Sequence, residues 1–329
     1  MTRKKAKLSK ILVIGGAGYI GSRLIRDLSD NERFKTSDIL IYDNLRNENY
    51  CGLMGLPEYG NFQFIEGDIL DRVNLSRAMQ NVDVVIHLAA IARAPLSFDR
   101  PELTRATNHW GTASVAECAL DCGVSHLIYT SSASVYGPGG PFSEEDACRP
   151  IGPYSISKLQ GENEVLNCTK RGLNATIIRL GTVFGYAPAM RYDAVISRFA
   201  YLAGVNRPIV IHGSGKQVRP FIHINDASDA IMLVMSNLTE ETDIYNVATM
   251  NVSVNEITEA IKAIVPDVGV HYTDQDMLTE VSFEVLAQNI SELGFEPKYK
   301  LEGGLREIMA HWRGFKKSTK NTIVDSGRD

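Results

Sequence analysis

Residues 11–25 read ILVIGGAGYIGSRLI. An apolar run rich in β-branched side chains meets Gly15, Gly16, Gly18 and Gly21, and an amphipathic run begins where the glycines end. The first part suits a strand covered on both faces. The glycines permit a tight turn, let main chain approach a pyrophosphate and let helix pack closely on strand. A helix starting there offers unpaired N–H groups to phosphate. Glycine spacing alone also fits an ordinary strand-to-helix turn, so the neighbouring sequence has to decide.

It does so with LIYDN, residues 40–44, which ends a second apolar run on Asp43. A carboxylate at the end of the second strand is placed to accept hydrogen bonds from an adenosine ribose, and it repels a 2′-phosphate. Strand, loop, helix and acid in that order predict a dinucleotide site that takes NAD in preference to NADP, with Arg46 and Arg23 pulling the other way. Asp68, in EGDIL after the third apolar run, either contacts the adenine or caps the helix that follows.

Working outward, ILVIG, ILIYD, FQFIE, DVVIHLAA, SHLIYTSS and NATIIRL read as buried strands up to about Arg179. Helical patterns lie between them near residues 19–30, 71–80, 101–122 and 154–171. This alternation predicts an α/β fold, a Rossmann-type doubly wound parallel sheet. After Leu180 the rhythm breaks: a helix near 192–204, strand candidates PIVIHG and VRPFIHI, then a helix from about Asn225. The expected division is a dinucleotide-binding domain over 1–180, with contributions from about 220–250, a smaller substrate-binding α/β region over 181–315, and a polar tail over 316–329.

A chain of 329 residues with 44% hydrophobic residues has material for a sizeable core. Its formal charge of −5 gives no field that would draw a polyanion, which argues against nucleic acid. The basic start MTRKKAKLSK leads into a short, glycine-rich apolar segment, which reads as a solvated tail and not as a secretory signal. No stretch has the ~20 apolar residues of a membrane span, and a cytoplasmic protein is expected. Cys51, Cys118, Cys122, Cys148 and Cys168 lack the density of a disulfide scaffold, and Cys118 and Cys122 have no further ligands at metal-site spacing. Buried, reduced thiols and no metal are the expectation.

GPYSISKLQGE, residues 152–162, sets Tyr154 and Lys158 one helical turn apart. A phenol titrates near 10, so a phenolate at neutral pH needs about 4 kcal/mol of help, whereas an exposed pair at this spacing supplies about 0.3–0.5 kcal/mol. In a partly dry cleft one cation about 4 Å away supplies roughly the whole amount. Tyr154 can therefore act as a general base if Lys158 and an oxidised cofactor share its pocket. Upstream, LIYTSSASVYG brings Ser131 and Ser132 to a strand end, at the sheet edge where open α/β folds bind ligands.

GGAGYIG, Asp43, HLAA, the serine-rich strand end and YSISK together resemble the extended short-chain dehydrogenase/reductase family, in its nucleotide-sugar epimerase and dehydratase branch, over residues 10–315. The resemblance implies Tyr154 as acid/base, Lys158 lowering its pKa and binding the nicotinamide ribose, and Ser132 hydrogen-bonded to the reacting hydroxyl. It implies a cofactor site that adds Tyr19, Ile20, Asn44, Ile69, Leu88, Ala89 and Ala90 to Gly15, Gly18, Gly21, Asp43 and Asp68, and it places Asn108 as structural support. A nucleotide-diphosphate sugar is the implied substrate, with Arg219 on the diphosphate, Arg93, Arg191 and Thr182 as further pocket candidates, and His223 and Asp226 matching by position or serving as strand end and helix cap. Thr182 stands where many relatives carry Asn. A homodimer through the helices 101–122 and 154–171 is also implied.

Dehydrating relatives carry an acidic residue two places after the catalytic Ser or Thr, and here Ser132 is followed by Ala133 and Ser134. Water elimination needs a base for the sugar 5-proton and an acid for the leaving hydroxyl. TSSASVYG instead resembles the 4-epimerases, which oxidise the sugar to a 4-keto form and return the hydride to either face. A 4-ketoreductase, a 4,6-dehydratase and a non-catalytic NAD sensor are the alternatives, in that order.

Overall fold

The computed structural model describes residues 8–92, 94–274 and 281–312. The first strands follow the apolar runs: β1 spans Lys10–Ile14, β2 Asp38–Asp43, β3 Asn61–Glu66, β4 Val84–His87 and β5 His126–Ser132. With Ala175–Leu180 and Asp243–Val247 they form a seven-stranded parallel sheet, ordered Asp243–Val247, Ala175–Leu180, β5, β4, β1, β2, β3. The order reverses between β4 and β1, the switch point at which open α/β sheets leave a crevice at their carboxyl ends.

Alternate residues of each strand face opposite layers. Ile11, Val13, Ile39 and Ile41 pack on Leu24, Ile25 and Leu28 of the helix Tyr19–Asp30 and on Ile231 and Met235 of the helix Ile224–Ser236. Leu12, Ile14, Leu40, Val85 and Tyr129 pack on the other side against Val115, Ala119 and Val165. The last strand and one covering helix thus come from beyond residue 180. A third cluster, around Phe184, Phe199, Ile257, Ile261, Leu305 and Ile308, belongs to the remaining C-terminal elements. There Val218–His223 pairs with Thr182–Phe184 in parallel and with Met250–Ser253 antiparallel.

Three expectations need correcting. FQFIE lies in an edge strand, so β3 is largely exposed, with Phe64 open to solvent. The helix expected over 101–122 is three pieces, Pro101–Arg105, a π-helical turn over Ala106–Gly111, and Thr112–Asp121. Cys118 and Cys168 are buried, but Cys51 is exposed. Among the described residues no helix is long and apolar enough to cross a membrane, and no group of three metal-ligating side chains occurs.

Candidate active site

At the end of β1 the chain turns at Gly15, whose φ of +83° suits glycine. A Cβ there would lie 2.6 Å from the Ala89 nitrogen, so the residues after β4 close directly onto the loop. A Cβ on Gly21 would strike the Gly15 carbonyl and the Gly16 main chain. Gly18 caps the helix Tyr19–Asp30 with no side chain on its first N–H groups, which leaves them for an anion. Asp43 accepts from the Ala17 nitrogen at 3.1 Å and the Leu45 nitrogen at 2.9 Å. Burial pushes its carboxyl up, and these two N–H bonds oppose that.

Asn44 donates to Asp68 at 2.9 Å, and Asp68 also accepts from the Leu70 nitrogen. The cap of the helix Arg72–Ala78 is Asp71, not Asp68. Ile69 is buried against Gly111. Ile20 packs partly buried against the first core cluster, and Leu88 and Ala89 donate their main-chain N–H groups to the Ile14 carbonyl. The glycine cradle, the uncapped helix start and the carboxylate on the second strand fit a dinucleotide.

The second half of the site is where β5 meets the helix Pro153–Thr169. Gly152, at φ +84°, turns the chain, and Pro153 opens the helix at the position where its missing N–H costs nothing. Lys158 is buried and donates to the Thr130 carbonyl at 2.7 Å, with its ammonium 4.4 Å from the centre of the Tyr129 ring. Burial lowers its pKa to about 7, against the pull of Glu162. His87, at the end of β4, is held at about 3 by burial and by the Lys158 charge, and its Nε2 pairs with Thr112 at 3.0 Å. Asn108, in the π-helical turn, accepts from the Ile91 nitrogen at 2.8 Å and donates to the Ile91 carbonyl at 3.0 Å and to Ser157 at 3.1 Å. It fastens the loop after β4 to the helix that carries Tyr154, which is a supporting role.

Tyr154 is half-buried. Burial pushes its pKa up, while the neighbouring Ser132 hydroxyl and the positive charge of Arg191 pull it down. Lys158 turns its ammonium to the Thr130 carbonyl, and the charge of Arg191 also acts on the phenol. Arg191 is clamped by Asp193 through Nε and Nη2, both at 2.9 Å, and donates to the Ala92 carbonyl at 2.8 Å. Its charge also acts on Tyr19, whose hydroxyl donates to the Gly185 carbonyl at 2.6 Å. Arg191 is thus near enough to both Tyr19 and Tyr154 for its charge to act on each.

The other candidates sit on other elements. Arg93 falls outside the described residues. Thr182 and Arg219 are on the three-stranded sheet, with Arg219 over the Phe283 ring at 5.2 Å and its pKa lowered by burial to about 10. His223 is the cap of the helix Ile224–Ser236, with its Nε2 2.8 Å from Glu307 and its ring stacked on Tyr299. Asp226 is not a cap: its carboxylate accepts from the Lys298 and Tyr299 nitrogens at 2.9 and 3.1 Å, docking the C-terminal segment.

Two groups escaped the sequence reading. Ser134 and Ser155 form a hydroxyl chain with Ser132, for which the signal was that they flank the expected catalytic Ser132 and Tyr154. Behind them Arg179 makes a buried ion pair with Glu162, with Nη2 2.8 Å from the carboxylate, and also donates to Tyr136 at 2.7 Å. The Tyr136 hydroxyl donates to Asn246 at 2.8 Å.

The model of the NAD dependent epimerase/dehydratase family matches residues 11–248. Mouse (Mus musculus) dTDP-D-glucose 4,6-dehydratase is 30% identical over 92% of this chain and 88% of its own length. Among solved structures, MoeE5 in complex with UDP-glucuronic acid and NAD is 29% identical, with a TM-score of 0.82 and coverage of 92% and 98% of the two chains. UDP-glucose 4-epimerase from Thermotoga maritima, solved with UDP-glucose, is 28% identical, with a TM-score of 0.80 and coverage of 93% and 99%. The chain belongs to the NAD dependent epimerase/dehydratase family, enzymes that act on nucleotide sugars, and its cofactor is NAD.

Proposed function

We propose that this family member is a nucleotide-diphosphate-sugar 4-epimerase in which Tyr154 exchanges a proton with the sugar 4-hydroxyl. The observation that carries the reading is Ser134. It stands two places after Ser132, where a dehydratase needs a carboxyl group, and its hydroxyl is engaged by Ser132 and Ser155. A serine there cannot serve as the acid that expels a hydroxyl from the sugar.

NAD, when bound, supplies hydride acceptance and return at C4. The chain's own residues do the rest. The glycine loop, the free helix start and Asp43 bind and orient the dinucleotide, and Lys158 holds the nicotinamide ribose. Tyr154 takes the 4-hydroxyl proton and later returns it, with Ser132 hydrogen-bonded to the same oxygen. Arg191 supplies a fixed positive charge beside the phenol, which favours its deprotonated form. Arg219 and Arg191 grip the diphosphate while the 4-keto sugar turns over, and Thr182 lines the pocket. A uridine diphosphate sugar is the expected substrate, supported by the ligands of the two solved relatives. Trp110 and Ile156, exposed on the helices that would meet across a two-fold axis, support a homodimer.

Incubation of the purified protein with a panel of nucleotide sugars, without added cofactor, tests this reading. Interconversion of C4 isomers is expected. A 4-keto-6-deoxy product would establish the second reading, a 4,6-dehydratase, which the mouse relative favours. Stoichiometric consumption of added NADH or NADPH would overturn both.

A further inference from the structure

Ser132 and Tyr154 come from different elements. Ser132 ends β5 and runs straight into the helical turn Ala133–Tyr136. Tyr154, Lys158 and Glu162 follow one another at four-residue steps along the helix Pro153–Thr169, which keeps the three side chains on one face. A series of buried polar contacts joins the far end of the turn to the far end of that face.

Arg179 lies on Ala175–Leu180, the strand that pairs with β5. It holds the Glu162 carboxylate through Nε at 3.1 and 3.3 Å and through Nη2 at 2.8 Å. Its Nη1 donates to the Tyr136 hydroxyl at 2.7 Å. That hydroxyl donates in turn to Asn246 Oδ1 at 2.8 Å, and Asn246 Nδ2 donates to the Phe142 and Leu286 carbonyls at 3.3 and 3.0 Å. The chemistry of the groups fixes each direction. A guanidinium only donates, and the two carbonyls require the Nδ2 side of Asn246, which leaves Oδ1 for the phenol. Glu162, Tyr136, Arg179 and Asn246 are all between 0 and 5% exposed, so water does not replace a lost partner.

Stability alone does not account for this arrangement, because apolar side chains of similar volume often fill the place of a buried ion pair at no loss. What they do not supply is a fixed angle and distance, which the guanidinium fork imposes on a carboxylate. We propose that Tyr136, Arg179 and Glu162 are positioning residues, a buried brace that sets the turn following Ser132 against the helix bearing Tyr154 and Lys158. Tyr136 is the joint of the brace. Its hydroxyl connects the Arg179 arm to the Asn246 anchor on the last strand of the sheet, and a phenylalanine there keeps the ring and cuts the connection. Misplacing reacting groups by about 1 Å costs on the order of 100-fold in rate, so the brace acts on turnover more than on binding.

The effect on turnover rests on Tyr154 as the acid/base of the 4-epimerase reading, but the effect on geometry does not. The test compares the NAD-loaded parent with Tyr136→Phe and with the double variant Glu162→Leu, Arg179→Met. In crystal structures of both variants the turn Ala133–Tyr136 should shift against the helix Pro153–Thr169 by about 0.5 Å or more. In both, kcat for epimerisation should fall about 10- to 100-fold with KM unchanged. The double variant separates positioning from stability: it should regain most of the stability lost in Glu162→Ala and still be slow. In a Tyr154→Phe background Tyr136→Phe should bring no further loss, and the same loss there overturns the proposal. A double variant that turns over like the parent, or variant backbones that superpose on the parent, overturns it too. If the double variant does not fold, Tyr136→Phe decides on the same readings. Shifted geometry in a protein that forms no C4 isomer supports the brace while removing the 4-epimerase reading.

Discussion

Lys158 directs its ammonium at the Thr130 main-chain carbonyl, 2.7 Å away, and so joins the catalytic helix to β5. Burial holds its pKa at about 7, below the ordinary 10.5. Between those values the unfolded chain binds the extra proton, so this group makes stability rise with pH from about 7 to about 10.5 and makes its full cost felt below 7. The expected outcome is that Lys158→Met is favoured over the parent in denaturant unfolding at and below neutral pH. The difference should narrow by on the order of 3–5 kcal/mol as pH approaches 10. A gap that stays constant with pH would contradict the assignment.

Tyr154→Phe removes the proton-carrying oxygen and leaves the ring packed. Turnover of the nucleotide sugar should drop by about 10²- to 10⁴-fold. Bound NAD and the unfolding midpoint should match the parent. Steady-state kinetics together with the absorbance of the isolated protein check both halves.

Glu162 and Arg179 are 1% and 5% exposed, so neither charge can turn to water. Glu162→Ala should cost about 3–5 kcal/mol, because an uncompensated guanidinium stays behind. Glu162→Leu combined with Arg179→Met should recover most of that loss in chemical denaturation. Equal losses in the single and double variants would show that the pair is not coupled.

Asp43 holds the glycine loop through Ala17 and its own turn through Leu45. Asp43→Asn keeps the size, removes the charge and replaces one of the two accepting oxygens by an NH2 donor. NAD affinity should fall about 10- to 100-fold, and the discrimination against NADP should narrow, as read by calorimetric titration of protein stripped of cofactor.

Six of the seven strands of the large sheet were legible because each is a short apolar run closed by glycine or a polar residue, whereas Asp243–Val247, with its polar Asp243 and Asn246, was not read as a strand; the helix Tyr19–Asp30 fell where the amphipathic pattern placed it. What escaped were features made by contacts distant in sequence. The π-helical turn has no proline or glycine pair to announce it; Asn108 bonds to Ile91, 17 residues away, across that turn. Arg179 meets Glu162 from a different element, and Tyr136 reaches Asn246 across 110 residues. β3 has the apolar content of a central strand and lies at the edge, because position in the sheet depends on topology. At the site, the spacing of Tyr154 and Lys158 put both on one helix but gave no direction for the ammonium, which β5 decides.

Asp243–Val247 closes the large sheet beside Ala175–Leu180. During synthesis, a nascent chain that has emerged only to residue 180 therefore carries a bare sheet margin, with the inner faces of β1 and β2 still lacking the helix Ile224–Ser236. The dinucleotide half cannot finish before the later half has begun. Cutting the gene near residue 180 should yield a sticky, aggregation-prone fragment instead of a self-sufficient cofactor module.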